Sequence, residues 1–250
     1  MGANLFTYGN HKINFKNRNY EEIGFEIKNK LNNYKIINEE YIKALMIYWE
    51  KSILDYPEVL KDKVLDTIFE IKDKKNWEWN FGIIDKDYWE NEYGMENIEY
   101  NAIKLIGFLG FEFVFSNDKI YFKDQPPYRY WGWFNMEKIV RDEWRKYLFQ
   151  ILNLFGGNRV IYLPDNMSDA EKYQDDFDLI DSPFEEIEKD LIKEYGQNNY
   201  FLDNMTENDG NEYYIDKFEN LEIKNSLSIN DFVNYLERDN LNEYKHFYFA

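Results

Sequence analysis

The order of apolar and polar positions predicts short strands mixed with amphipathic helices. Leu5-Phe6-Thr7-Tyr8 and Lys12-Ile13-Asn14-Phe15 flank Gly9-Asn10, a pair suited to a tight turn, and predict an opening hairpin. Ile23, Ile27 and Leu31 recur one turn apart and predict a helix from Tyr20 to about Leu31, ended by Asn32-Asn33. A second helix is predicted from its cap Asn38 to about Leu54, with Tyr41, Leu45, Tyr48 and Trp49 on one face. After Pro57, a third from Glu58 to about Lys74 turns Leu60, Val64, Ile68 and Ile71 inward. Trp77, Trp79 and Phe81 alternate, which favours a strand over 77–84. Ile98–Leu109 reads as a short helix closed near Gly110. Phe111–Phe115, the turn Ser116-Asn117-Asp118 and Lys119–Phe122 form the clearest hairpin in the chain.

The best helix follows the prolines at 126 and 127. Met136, Ile139, Val140, Trp144, Tyr147, Leu148, Ile151, Leu152 and Phe155 keep helical spacing over about 136–155, with Asn135 as cap and Gly156-Gly157 as a left-handed stop. Arg159–Leu163 is a short buried strand stopped by Pro164. Asp165–Asp181 is polar and thin in apolar anchors. Ser182 as N-cap, Pro183 at the first helical position and Glu185-Glu186 in the first turn predict a helix Phe184–Tyr195, closed by Gly196. Asp209-Gly210 predicts another hairpin turn, Ser228 a helix to about Arg238, and His246–Phe249 a last strand. Hairpin signals outweigh strand–helix–strand alternation, so the fold class is α+β: a mainly antiparallel or mixed sheet with packed helices. No internal repeat is visible. A single domain over 1–250 is expected, with a scaffold at 1–163 and a C-terminal region at 164–250 that would be a subdomain.

Composition narrows the setting. Hydrophobic content is 44% and aromatic content 20%, enough for a sizeable core and against global disorder. The chain has no cysteine, which excludes disulfides, thiolate metal sites and cysteine nucleophiles and fits a reducing compartment. No apolar run approaches the ~20 residues of a membrane span, and the first residues lack a signal-peptide core. Phe6 sits where a myristoylation motif at Gly2 wants Ser or Thr. A cytoplasmic location is expected. The abundance of Asn, Lys, Ile and Tyr resembles the codon bias of an AT-rich genome and points to a bacterium or phage.

Charge changes the picture most. From Arg159 to Ala250 there are eight Lys or Arg and 23 Asp or Glu, a net of −15 out of −18. Residues 1–158 hold 22 and 25, a net of −3. Asp165–Glu194 is densest, with twelve acids and three lysines. Such a field repels nucleic acid and anionic membranes and draws basic partners.

Catalytic signatures are mostly absent. There is no phosphate loop, dinucleotide fingerprint, nucleophile elbow or zinc-protease helix. His11 and His246 read as surface or sheet-edge residues. Glu112 and Asp124, near many aromatics, are the best acid–base pair for glycosidase chemistry; the bland reading points both outward from a half-buried sheet while the phenylalanines point in. Met205–Asp216 aligns Gly210 with the turn glycine of a calcium loop, but Met205 then occupies the first ligand position, so no metal is expected. No cofactor is expected either. The segment Tyr128–Phe134 has a hot-spot composition in Arg129 and Trp131, against a bland reading as a core strand. Lys138, Arg141, Arg145 and Lys146 on the long helix form either a solvated face or one that docks the acidic region internally.

In its acidic, aromatic-rich composition the chain resembles the immunity proteins of bacterial toxin systems. No motif carries that resemblance, so it assigns no residue a role. The first expectation is a non-enzymatic inhibitor that neutralises a basic protein, a toxin or nuclease, through Asp165, Asp169, Asp175, Asp176, Asp178, Asp181, Glu185 and Glu186, with Arg129 and Trp131 as anchors. Direct nucleic-acid or membrane binding is not expected, and oligomeric state is left open. The alternatives are a phage-type nucleic-acid mimic, with carboxylates spaced like phosphates, and a carboxylate hydrolase such as a glycosidase.

Overall fold

The computed structural model describes residues 5–34, 78–94, 101–107, 111–123, 138–164, 182–196 and 213–219. The chain divides into two compact units, residues 1–36 with 77–221 and residues 37–76 with 222–250. Every described residue belongs to the first, which is the unit described below. The helices expected at 38–54, 58–74 and 228–238, the turn at Asp209-Gly210 and the strand at 246–249 lie outside the described residues.

Among the described residues seven strands form one antiparallel sheet: β1 (Leu5–Asn10), β2 (Asn80–Ile84), β3 (Ala102–Ile106), β4 (Glu112–Phe115), β5 (Lys119–Lys123), β6 (Arg159–Pro164) and β7 (Tyr214–Lys217). Their order is β2-β3-β4-β5-β1-β6-β7. Among the described residues four helices accompany them: α1 (Tyr20–Asn33), α2 (Lys86–Tyr93), α3 (Lys138–Leu154) and α4 (Phe184–Tyr195). The α+β expectation, with a mainly antiparallel sheet, is what the structure shows.

The sheet is covered on both faces. Its register aligns Phe81, Leu105, Phe113 and Phe122 on one face, together with Ile103, Phe115, Ile120, Gly9 and Val160. Helices α1 and α3 lie on this face: Gly24 of α1 meets the Phe81 ring, and the Phe155 ring, just past α3, stands edge-on to Phe115 at 5.0 Å. From α3, Trp144, Tyr147, Leu148, Ile151 and Leu152 are all buried. On the opposite face Tyr8, Val114, Tyr121, Ile161 and Ile215 form a core with Trp89 of α2 and with Phe184, Ile187 and Leu191 of α4.

Local signals explain several boundaries. Asn19 caps α1, its side chain accepting from the Glu21 amide at 2.7 Å. Helix α3 ends as its Gly-Gly pair predicts: Gly156 is left-handed at φ +77, Gly157 N–H donates to Leu152 O at 2.8 Å, and Gly156 N–H donates to Asn153 O at 3.2 Å. Those two bonds are a Schellman stop. The hairpin β4–β5 pairs Phe113 with Phe122 and Phe115 with Ile120, as its alternation predicts.

Three expectations are corrected. The opening hairpin does not form. Strand β1 runs straight through Gly9-Asn10 to pair with β5 and β6, and no strand covers 11–15. Gly9 is small for a packing reason: a Cβ there would sit 2.8 Å from Leu152 Cδ1. Asn10 Oδ1 accepts from the amides of Asn158 and Arg159, both at 2.8 Å, tying the end of β1 to the start of β6. Within the helix expected over 98–109, the described residues Ala102–Ile106 are instead strand β3, because their β-branched and apolar run finds partners in both β2 and β4. Helix α4 has the expected limits, but Ser182 does not cap it; Pro183 holds the cap position and provides no side-chain bond. Asp118, from the β4–β5 turn, reaches across and accepts from the Phe184 amide at 2.9 Å.

Candidate interaction surface

Helix α4 carries most of the described acids of the C-terminal region. Its apolar spacing buries Phe184, Ile187 and Leu191 against the sheet and leaves Glu185, Glu186, Lys189, Lys193 and Glu194 exposed. Two acids in its first turn complement the positive helix end, as the sequence predicts. The Asp118 carboxylate adds a third negative group at that end. Beside it, buried Lys119 donates from Nζ to Ser182 O, locking the β4–β5 turn to the start of α4.

Of the residues expected to bind a partner, Glu185 and Glu186 are described and sit next to each other on this first turn. Asp165, Asp169, Asp175, Asp176, Asp178 and Asp181, with Arg129 and Trp131, lie outside the described residues. Glu185 is not a bare surface acid. Arg159, at the start of β6, bonds Glu185 and Glu188 together and lies over the Phe184 ring at 5.3 Å. The Arg159 hydrogen bond holds the Glu185 carboxyl below its ordinary value, so it stays ionised. Burial works against the Arg159 cation, but the Glu185 bond and the charges of both carboxylates more than offset it, and its pKa is raised. Glu186 is exposed.

The expected docking of the long basic helix onto the acidic region is present at one point. Arg145 of α3 grips Asp216 of β7 with two bonds, Nε to Oδ2 at 2.6 Å and Nη2 to Oδ1 at 3.1 Å. Asp216 is buried and also accepts from the Tyr162 hydroxyl at 3.4 Å. The acidic region is thus divided in use. Asp216 and Glu188 are internal ion-pair partners of α3 and β6, while Glu186 is exposed.

No family model, curated protein or solved structure matches this chain.

Two other candidate pairs have one member each among the described residues. Glu112 bonds Lys104 of the neighbouring strand at 2.9 Å, both side chains being largely covered. That is a cross-strand ion pair. Its proposed catalytic partner Asp124 lies outside the described residues. His11, expected at a surface or sheet edge, is 6% exposed. Ile13 N–H donates to its Nδ1 at 3.0 Å, so the ring proton sits on Nε2 and donates to Ser116 O at 2.7 Å. Burial lowers its pKa from 6.5 to about 4. His246 lies outside the described residues.

An open groove of about 450 Å³ borders the C-terminal end of α1, lined by Glu26, Asn29, Lys30, Asn33, Tyr34 and Leu154. Its charges already serve each other, Glu26 bonding Arg18 at 2.8 Å and Lys30 at 3.2 Å. Among the described residues no three His, Asp or Glu converge as metal ligands, and no helix is long and apolar enough to cross a membrane.

The sequence marks Arg145 as a possible docking cation but does not single out Asp216 as its partner, and it carries no signal for Arg159–Glu188 or Asp118–Phe184. The partners stand 71, 29 and 66 residues apart, and no spacing rule links positions that distant.

Proposed function

We propose that the protein is a non-catalytic acidic binding protein that neutralises a basic protein partner, in the manner of the immunity proteins of bacterial toxin systems. The segregation of charge carries the reading: Arg159–Ala250 holds −15 of the net −18. A nuclease or similar toxin has a groove built for phosphates, and such a groove accepts carboxylates. Long-range attraction speeds the encounter and selects the partner. Helix α4 supports the reading locally. Its apolar side and the Arg159 clamp fix the first turn, so exposed Glu186 is held on a rigid element, with little side-chain and backbone freedom left to lose on binding.

Affinity capture from the native host tests this, with the chain as bait at low and at high salt. One basic protein should be retained at low salt and released as salt rises. A variant with Asp175→Asn, Asp176→Asn, Asp178→Asn and Glu186→Gln should lose most of that retention. Nothing retained at low salt, or retention indifferent to salt and to the variant, would overturn the proposal.

A further inference from the structure

Strand β2 is an outer strand of the sheet and, among the described residues, pairs with β3 alone. Outer strands are normally protected by charge, proline, a bulge or a covering element. At the other end of the sheet β7 is protected: Tyr214, Ile215 and Asp216 are buried, and Asp216 is held by Arg145. Strand β2 itself carries none of these, and the charge described beside it is Lys28 of α1, whose Nζ donates to Asn80 Oδ1 at 3.3 Å. Asn80-Phe81-Gly82-Ile83-Ile84 contains neither a charge nor a proline, and Asn80 and Gly82 are exposed. Beside it Phe25 of α1 is 56% exposed, its ring edge-on to Phe81 at 4.9 Å.

The segment is also complementary to itself. We propose that β2 is a homodimer interface, where two copies pair antiparallel about a two-fold axis at Gly82. In that register Phe81 faces the partner's Ile83, an aromatic with a β-branched residue, a stabilising cross-strand pair. The symmetry makes each contact twice. Phe81 lies on the sheet face where Phe25 stands, so pairing covers the apolar edge that a single copy leaves open. Gly82 fits the same picture. A Cβ there would meet nothing within 4 Å, so the single copy has no steric need for glycine. Glycine inside a strand weakens it and marks sites where another backbone comes close. At the axis the two residues stand face to face.

This dimer is independent of the basic partner proposed above, and salt separates the two. Each copy carries −18, so dimerisation strengthens as salt screens the repulsion, while capture of a basic protein weakens. Sedimentation velocity of the intact chain, over a range of concentrations at low and high salt, is the test. A reversible dimer favoured by salt is expected. Gly82→Lys has room in the single copy and sets like charges opposite each other at the axis, so dimerisation should weaken by roughly tenfold or more, with circular dichroism and unfolding unchanged. A chain monomeric at every concentration, association that falls as salt rises, or a dimer that survives Gly82→Lys would overturn the proposal.

Discussion

Acidification through the histidine range should destabilise the protein through the buried side chain of His11. The ring is buried, and both nitrogens are already committed. Nδ1 accepts from the Ile13 amide and Nε2–H donates to Ser116 O. A second proton on Nδ1 would face the Ile13 N–H, donor against donor. The pKa is therefore lowered from 6.5 to about 4, with burial the largest cause. The unfolded chain takes up this proton first, so stability is full at neutral pH and falls as pH drops from the ordinary value towards the native one. Those two values correspond to a loss of about 0.8 kcal/mol at pH 6 and about 2 kcal/mol at pH 5, and to about 3 kcal/mol once both states are protonated. The carboxyls of Glu26 and Glu185 are held below their ordinary 4.5 by Arg18 and Arg159 respectively. Their contributions are present above that value and are lost below it, outside the window from pH 7.5 to 5. Urea unfolding followed by tryptophan fluorescence at pH 7.5, 6 and 5 measures the effect. His11→Gln is the reference, because its amide N–H can still reach Ser116 O and it does not titrate. Comparing the two chains cancels the change in overall charge repulsion. The native chain should lose about 2 kcal/mol more than His11→Gln between pH 7.5 and 5. Parallel pH dependence in the two would refute the assigned tautomer and its burial.

Other substitutions test the ties between layers, each by urea unfolding at neutral pH. Arg145→Met should cost about 3–5 kcal/mol by stripping a buried carboxylate of its cation, and adding Asp216→Leu should recover much of the loss; equal costs for the single and double variants would show no coupling. Asp118→Ala should cost about 1 kcal/mol through loss of the α4 cap, while Ser182→Ala should stay within about 0.5 kcal/mol. Gly157→Ala should cost about 3 kcal/mol, because its Cβ would overlap the Asn10 carbonyl oxygen, and Gly156→Ala about 1 kcal/mol for its left-handed backbone.

Much of the local structure was legible in the sequence. The period of α1 and of α3, the stop at Gly156-Gly157, the β4–β5 alternation and both limits of α4 all follow from residues within a few positions of one another. Helical and strand geometry impose those short spacings, so a single chain displays them. The first-turn acids of α4, two members of the candidate surface, were legible for the same reason. Only the tertiary structure decided the rest. Gly9-Asn10 carries a turn signature, yet its glycine is needed for the approach of Leu152 and its asparagine for the amides of Asn158 and Arg159. Ala102–Ile106 is apolar in a way that suits helix or strand, and its two neighbours in the sheet made it a strand. Charge was the clearest signal of all, but it could not say which acids meet a cation. Asp216 and Glu188 are turned inward onto arginines, and Glu186 is left outside, because sheet register and helix phase fixed where each carboxylate stands. Net charge belongs to the sequence; the pairing of each charge belongs to the fold, since Coulomb attraction acts over distances in space that the order of residues does not encode.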